Sequence, residues 1–358
     1  MPRVARTWVW ALPLLGWLAV ALAGRDSGLV ALKSLILVGV VLAAVHHAEL
    51  IAHRVGEPFG TLVLALAVTV IESGLIVSLM LANPQATVAL ARDTVFATAM
   101  IILNLLLGLC LIAAARVQRA DSRFTRTGAT AALSTLAVLT VLTLVLPNYT
   151  TSIPGPVYSP QQLAFVAAFS LILYLTFVFV QTVRNRDYFL PGGELRDEPD
   201  VHAAPPSARA AWRSLLLLLV SLGAVVLLAK SLSEPLEQAV SGAGLPRAVV
   251  GIVVAAIVLL PESIAAVRAA RANRLQTSLN LALGSALATI GLTIPAVSAV
   301  SFALDLPLAL GLDAKGMVLL ALSLFVASLS LARGRTTVLH GTVHLVIFGA
   351  YLVTTILP

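Results

Sequence analysis

Apolar residues in this chain run in long continuous blocks broken by short polar stretches, rather than alternating with polar ones. Crossing a bilayer core as a helix takes about 20 apolar residues. On that scale the blocks fall at 8–23, 28–53, 60–82, 92–116, 128–147, 161–183, 212–232, 244–270, 275–301, 315–332 and 336–357. The pattern predicts about eleven transmembrane helices and an all-α integral membrane protein. A membrane β-barrel would need alternation along each strand, so it is excluded.

Composition agrees. Of 358 residues, 59% are hydrophobic and only 11% charged. A soluble domain carries about a quarter charged residues. The net charge of +7 does not point to nucleic acid, because the basic residues lie between apolar blocks. Counting from the side that holds the N-terminus, 17 of the 23 Lys and Arg residues fall on that side and 6 on the other. Basic residues collect on the cytoplasmic side, so the N-terminus is expected inside and the C-terminus outside. The first block is preceded by Arg3 and Arg6 and ends in Ala-Leu-Ala-Gly at 21–24, which also resembles a signal peptide; a retained helix is the favoured reading. The single cysteine, Cys110, leaves no intramolecular disulfide.

The longest polar break, 184–209, is rich in charge and proline. It divides the chain into an extra N-terminal helix (1–27), a first five-helix repeat (28–183), a linker loop (184–211) and a second five-helix repeat (212–358). Within this plan two residues stand out. Glu72 lies in GTLVLALAVTVIESGLIVSLML and Glu262 in VVGIVVAAIVLLPESIAAV. Ionisable groups at membrane depth are costly and mark ion or proton paths. The two glutamates sit in the third and eighth spans, an odd number of crossings apart, so their helices run in opposite directions. That is the inverted-repeat plan of secondary transporters, whose site lies at the midplane. Glu72 lies eleven residues past Thr61, roughly 17 Å along a helix, near mid-depth.

Carboxylates suit hard cations, which take several oxygen ligands. Removing a carboxylate from water disfavours its charged form, and a bound cation favours it. A buried glutamate can therefore hold a proton in one state and a cation in another. Glu72 and Glu262 are the expected metal ligands. Thr69 and Ser73 beside the first, Ser263 beside the second, and Asn104, Asn280, Ser285 and Thr289 on the following helices are candidate oxygen donors. Pro261 cannot donate to the carbonyl of Ile257 and is expected to kink its helix. Asn280, Gly284, Ala288, Gly291 and Pro295 form one face of mostly small residues, suited to close helix approach.

Other groups offer weaker chemistry. His46, Glu49 and His53 share a face at the end of the second span, with His47 and Glu57 close by, and are read as a cytosolic proton or cation antechamber. Their spacing is not that of a zinc protease. His340 and His344 form an i, i+4 pair suited to relay or packing. Asp197, Glu198 and Asp200 lack the spacing of a calcium loop. No phosphate-binding loop is present, so neither ATP hydrolysis nor a nucleotide partner is expected, and no cofactor is implied. An enzyme would need a nucleophile–base or metal constellation that the chain does not offer.

At these residues the chain resembles the calcium/cation antiporter superfamily, and within it the bacterial ChaA-type antiporters. The resemblance rests on long stretches at 47–81, 186–190 (RDYFL), 260–295 and 334–352. It implies a Ca²⁺/H⁺ exchanger, with Na⁺ and K⁺ as further cargo, and Glu72 and Glu262 as the acidic ligands of two repeats. The chain departs from the Gly-Asn-x-x-Glu pattern of the plant and fungal exchangers, with Val68-Thr69 and Leu259-Leu260 before its glutamate motifs. The expected partners are lipid, inorganic cations and protons. A Na⁺-coupled Ca²⁺ exchanger and a cation channel are the alternatives.

Overall fold

The computed structural model describes residues 7–21, 30–56, 59–82, 88–117, 124–189, 206–332, 334 and 336–357. Among these residues the chain forms eleven helical rods and no strand. The first half contributes α1 (Trp8–Ala21), α2 (Val30–Val55), α3 (Phe59–Ala82), α4 (Leu90–Arg116), α5 (Arg126–Tyr149) and α6 (Pro160–Arg184). The second contributes α7 (Ala208–Gly242), α8 (Ala248–Arg271), α9 (Leu275–Leu304), α10 (Ala314–Leu331) and α11 (Val338–Ile356). Nine of the rods are long and apolar enough to cross a membrane; Trp8–Ala21 and Leu66–Leu81 are shorter apolar stretches. Glu57 and the acidic run Asp197, Glu198 and Asp200 lie outside the described residues.

Most boundaries match the apolar blocks to within a few residues. The clearest difference is α7, which continues past Pro235 to Gly242. Its last turns are polar, so hydropathy alone ends the block at 232. Val240 is buried there and Leu236 packs beside it, which holds the extension in place. Pro261 lies inside α8, which stays helical across it from Ala248 to Arg271. Asp305 ends α9 in a left-handed conformation, with φ of 51°, and Asp313 caps α10 by accepting from the Gly316 N–H at 2.7 Å. Both acids therefore have local structural work at helix ends.

The apolar interior forms two bodies. One gathers α2, α7 and parts of α3 and α8; the other gathers α4, α5, α6, α9, α10 and α11. Both glutamate-bearing helices belong to each. On α3, Ile71 and Leu75 pack into the first body, and Ile76 and Met80 into the second. On α8, Val254 and Val258 face the first, and Ala255 and Leu259 the second. The site helices thus lie along the boundary between the two.

The N-terminal helix is built into the first body. The Trp17 indole donates to the Val220 carbonyl at 2.9 Å. A Cβ at Gly16 would stand 2.9 Å from Val40, and one at Gly223 would stand 2.9 Å from Trp17. Small residues let these helices approach closely.

In the other body α4 and α11 touch backbone to backbone. A Cβ at Gly341 would lie 2.6 Å from the Gly108 carbonyl and 2.5 Å from Ile112. Gly341→Val should therefore destabilise the fold by about 1–3 kcal/mol, the usual range for overpacking. The check is a lowered melting temperature in detergent, with Gly349→Ala, which meets nothing within 4 Å, melting as the wild type does.

Candidate functional site

Glu72 is almost completely buried, with 1% of its surface exposed. Its carboxylate is ringed by hydroxyls. Thr98 on α4 donates to Oε1 at 3.4 Å, and Thr289 on α9 donates to Oε2 at 2.8 Å. Thr293, one turn beyond Thr289, also reaches the carboxylate and accepts from Ser73 at 3.4 Å. Thr69 is buried on α3 three residues before Glu72. The first half's glutamate is thus held largely by hydroxyls of the second half.

Glu262, on α8, is half-buried. Ser285 on α9 donates to its Oε2. The two carboxylates are close enough to repel one another. Among the described residues no Lys or Arg pairs with either; an ion pair does form elsewhere, between Arg92 and Asp93 at 2.8 Å. Two acidic groups, one from each half of the chain, therefore share one interior region, supplied with neutral oxygens and without a Lys or Arg partner among the described residues.

Local backbone explains how the hydroxyls are aimed. Both helices that follow a glutamate helix contain a π-turn, Ile101–Leu106 in α4 and Thr289–Thr293 in α9. Such turns add a residue to the local repeat and recur at functional sites. The turn in α9 begins with Thr289 and ends with Thr293, both directed at Glu72. The turn in α4 begins with Ile101, which has no hydroxyl to offer. The two halves are therefore unequal.

Sequence reasoning named Glu72, Glu262, Thr69, Ser73, Ser285 and Thr289, and the structure brings these to one region. Ser263 is half-buried next to Glu262. Thr293 was missed, although its i+4 spacing from Thr289 puts it on the same helical face. Asn104 and Asn280 bond elsewhere. The Asn104 amide donates to Ser323 Oγ at 2.8 Å. The Asn280 amide donates to the Phe189 carbonyl at 2.6 Å and accepts from Gln276 at 2.9 Å. Asn280 thus ties the RDYFL segment to α9.

The predicted antechamber residues divide between two faces of α2. His47 is buried, with Nε2 3.3 Å from the Val9 carbonyl of α1. The His46 ring lies 6.0 Å from those of Trp8 and His47. Glu49 and His53 are exposed on the outer surface.

An all-helical, multi-pass bundle with paired acidic helices of opposite direction has the architecture of a membrane ion carrier. Comparison with known proteins agrees. The family model described as sodium/calcium exchanger protein matches residues 27–183 and 213–357, and the chain belongs to that family. It is 47% identical to the y4hA protein of Sinorhizobium fredii, over 98% of this chain and 96% of that one. It is 34% identical to the sodium-potassium/proton antiporter ChaA of Escherichia coli, over 96% of this chain and 94% of that one. Its fold matches the crystal structure of the H⁺/Ca²⁺ exchanger CAX with a TM-score of 0.73 at 16% identity, covering 96% of this chain and 86% of that one. The chain is a cation exchanger of this superfamily.

If the hydroxyl ring helps to bind the cargo, Thr289→Ala should raise the half-saturating cation concentration about tenfold, the lower end for a hydrogen bond to a charged group. Thr289→Ser should stay within about twofold of wild type. Asn280→Ala should leave that concentration unchanged. Cation titration of dye-reported flux in proteoliposomes checks all three.

Proposed function

We propose that this chain is a secondary antiporter of the bacterial inner membrane that exchanges cytoplasmic Ca²⁺, Na⁺ or K⁺ for external H⁺. Residues 28–183 and 212–358 act as two inverted repeats, with 1–27 an added helix and 184–211 a cytoplasmic linker. The N-terminus is cytoplasmic and the C-terminus external, following the 17-to-6 bias of basic residues. Lipid, inorganic cations and protons are the partners. No covalent chemistry, nucleotide or nucleic acid is involved.

The observation that carries this reading is the pairing of Glu72 and Glu262 without a Lys or Arg partner among the described residues. A bare carboxylate out of water costs several kcal/mol, and two side by side cost more. The closed site must therefore hold something positive. A cation satisfies both carboxylates together with the hydroxyls of Thr98, Thr289 and Ser285. Protons satisfy them in its absence. Two carboxylates match one divalent ion, which favours Ca²⁺, while the resemblance to ChaA supports Na⁺ and K⁺. Thr69, Ser73, Ser263 and Thr293 complete the oxygen supply.

The test is a proteoliposome assay of pH recovery under an imposed gradient, challenged in turn with Ca²⁺, Na⁺ and K⁺. Glu72→Gln and Glu262→Gln should each abolish cation-dependent proton flux while the purified protein keeps its elution profile and melting behaviour. Robust flux in either variant would remove that residue from the mechanism. A cation current without counter-ion would make the protein a channel. Ca²⁺ uptake driven by a Na⁺ gradient at equal pH on both sides would make it a Na⁺-coupled exchanger.

A further inference from the structure

A second set of buried polar groups lies apart from the hydroxyl ring, between α4, α10 and α11. His344 on α11 is fully buried. Its Nε2 lies 3.1 Å from Ser330 Oγ on α10. Its Nδ1 makes no hydrogen bond of good geometry, although the Leu103 carbonyl of the α4 π-turn stands within bonding range of the ring. One turn earlier, His340 Nδ1 is buried without a partner, as is Thr336 Oγ1 at the start of the helix. At the other end stands Asn104, also fully buried. Its amide donates to Ser323 Oγ at 2.8 Å and to Met100 Sδ at 3.7 Å, while its Oδ1 has no partner.

Four of the eight buried side-chain atoms without a hydrogen bond of good geometry among the described residues lie on α4, on α11 or just before α11. Buried polar atoms are nearly always paired with protein or ordered water, so four together call for a shared explanation. They are also graded in depth. Thr336 lies at the arginine-rich end of α11. His344 is eight residues further, about 12 Å along a helix. Asn104 lies near the middle of α4, six residues or about 9 Å from Thr98, whose hydroxyl bonds Glu72.

We propose that this seam holds a file of water molecules that carries protons between the arginine-rich side and mid-membrane, with His340 and His344 as relays and Asn104 at its inner end. The water bonds are supplied by Thr336 Oγ1, the two Nδ1 atoms and Asn104 Oδ1. A proton received at His344 Nδ1 from water is matched by one released from Nε2 to Ser330 Oγ, and Ser330 passes its own hydroxyl proton to the next water of the file, so the ring and the hydroxyl both end neutral and the ring holds its other tautomer until it reorients. Neutral imidazole is a poor ligand for hard cations, which prefer oxygen. The seam therefore favours protons over the transported metal, and the two cargoes approach mid-membrane by different routes.

Two experiments test this, and the transport arm rests on the exchanger reading. The first is hydroxyl-radical footprinting of the purified full-length protein. Met100 and Met80 are both buried, at 0% and 2% exposure, but Met100 contacts the Asn104 amide and Ser323 Oγ. Water in the seam should make Met100 oxidise at least fivefold faster than Met80. Equal inertness overturns the proposal whatever the protein transports. In the second, His344→Leu in proteoliposomes should lower proton-driven ⁴⁵Ca²⁺ or ²²Na⁺ uptake at least tenfold. Exchange of the same isotope against its unlabelled ion at equal pH should stay within twofold. Equal loss in both modes, or no loss in either, overturns the relay. Wild-type protein that exchanges isotope without any proton-driven uptake would overturn the relay and the proton-exchanger reading together, while a positive footprint would still stand for the water.

Discussion

The requirement to neutralise two carboxylates away from water governs the rest of this structure. Glu72 and Glu262 repel one another, and neither has a cationic side chain as partner among the described residues. Many buried charges are satisfied permanently by an ion pair. Here the pairing is left to whatever enters. On the proposed mechanism this would drive exchange, because an empty, doubly charged site would be the state least able to close. The hydroxyls of Thr98, Thr289 and Ser285 fit this requirement. They can donate to a bare carboxylate and accept from a protonated one, and their oxygens suit a hard cation. A lysine in their place would neutralise the site and remove its need for cargo.

Each half of the chain supplies one acid, but the halves are not equivalent. Glu72 is sealed by Thr289 and Thr293 from the other half. Glu262 is half-buried, held by Ser285 of its own half, and preceded by a proline that the first half lacks. One acid is fully buried and the other partly exposed. The π-turns show the same divergence on a common frame. Both follow the glutamate helices, yet one begins with threonine and the other with isoleucine.

Much of this was legible in the sequence. Eleven apolar blocks became eleven rods, because in a bilayer the backbone has few other ways to satisfy its polar groups. The glutamates were legible because charge at that depth is rare. Three things were harder to read. The extension of α7 to Gly242 depends on Leu236 and Val240 finding a tertiary surface, which no local window contains. The π-turns leave no clear mark in residue type, so the aim of Thr293 toward Glu72 was hidden. Asn104 and Asn280 fitted the expectation of polar ligands after an acidic motif, yet their amides bond Ser323 and the Phe189 carbonyl. An asparagine in an apolar helix signals a partner without revealing which one.

The division of the apolar interior into two bodies has a mechanical consequence. Both acidic helices contribute side chains to each, so they lie where the bodies meet. Contacts such as Leu75 and Val258 on one side, and Ile76 and Leu259 on the other, are non-directional. A small slip exchanges one greasy neighbour for another, and on α3 the side-chain bonds it would strain besides those of the carboxylate are those of Ser73 to Thr293 and of Ser78 to the Val226 carbonyl. Hydroxyl bonds to a carboxylate tolerate far less displacement. On the proposed mechanism the chemistry at the glutamates would act as a detent on an otherwise smooth bearing, and the ion seated there would decide when the surfaces are free to glide.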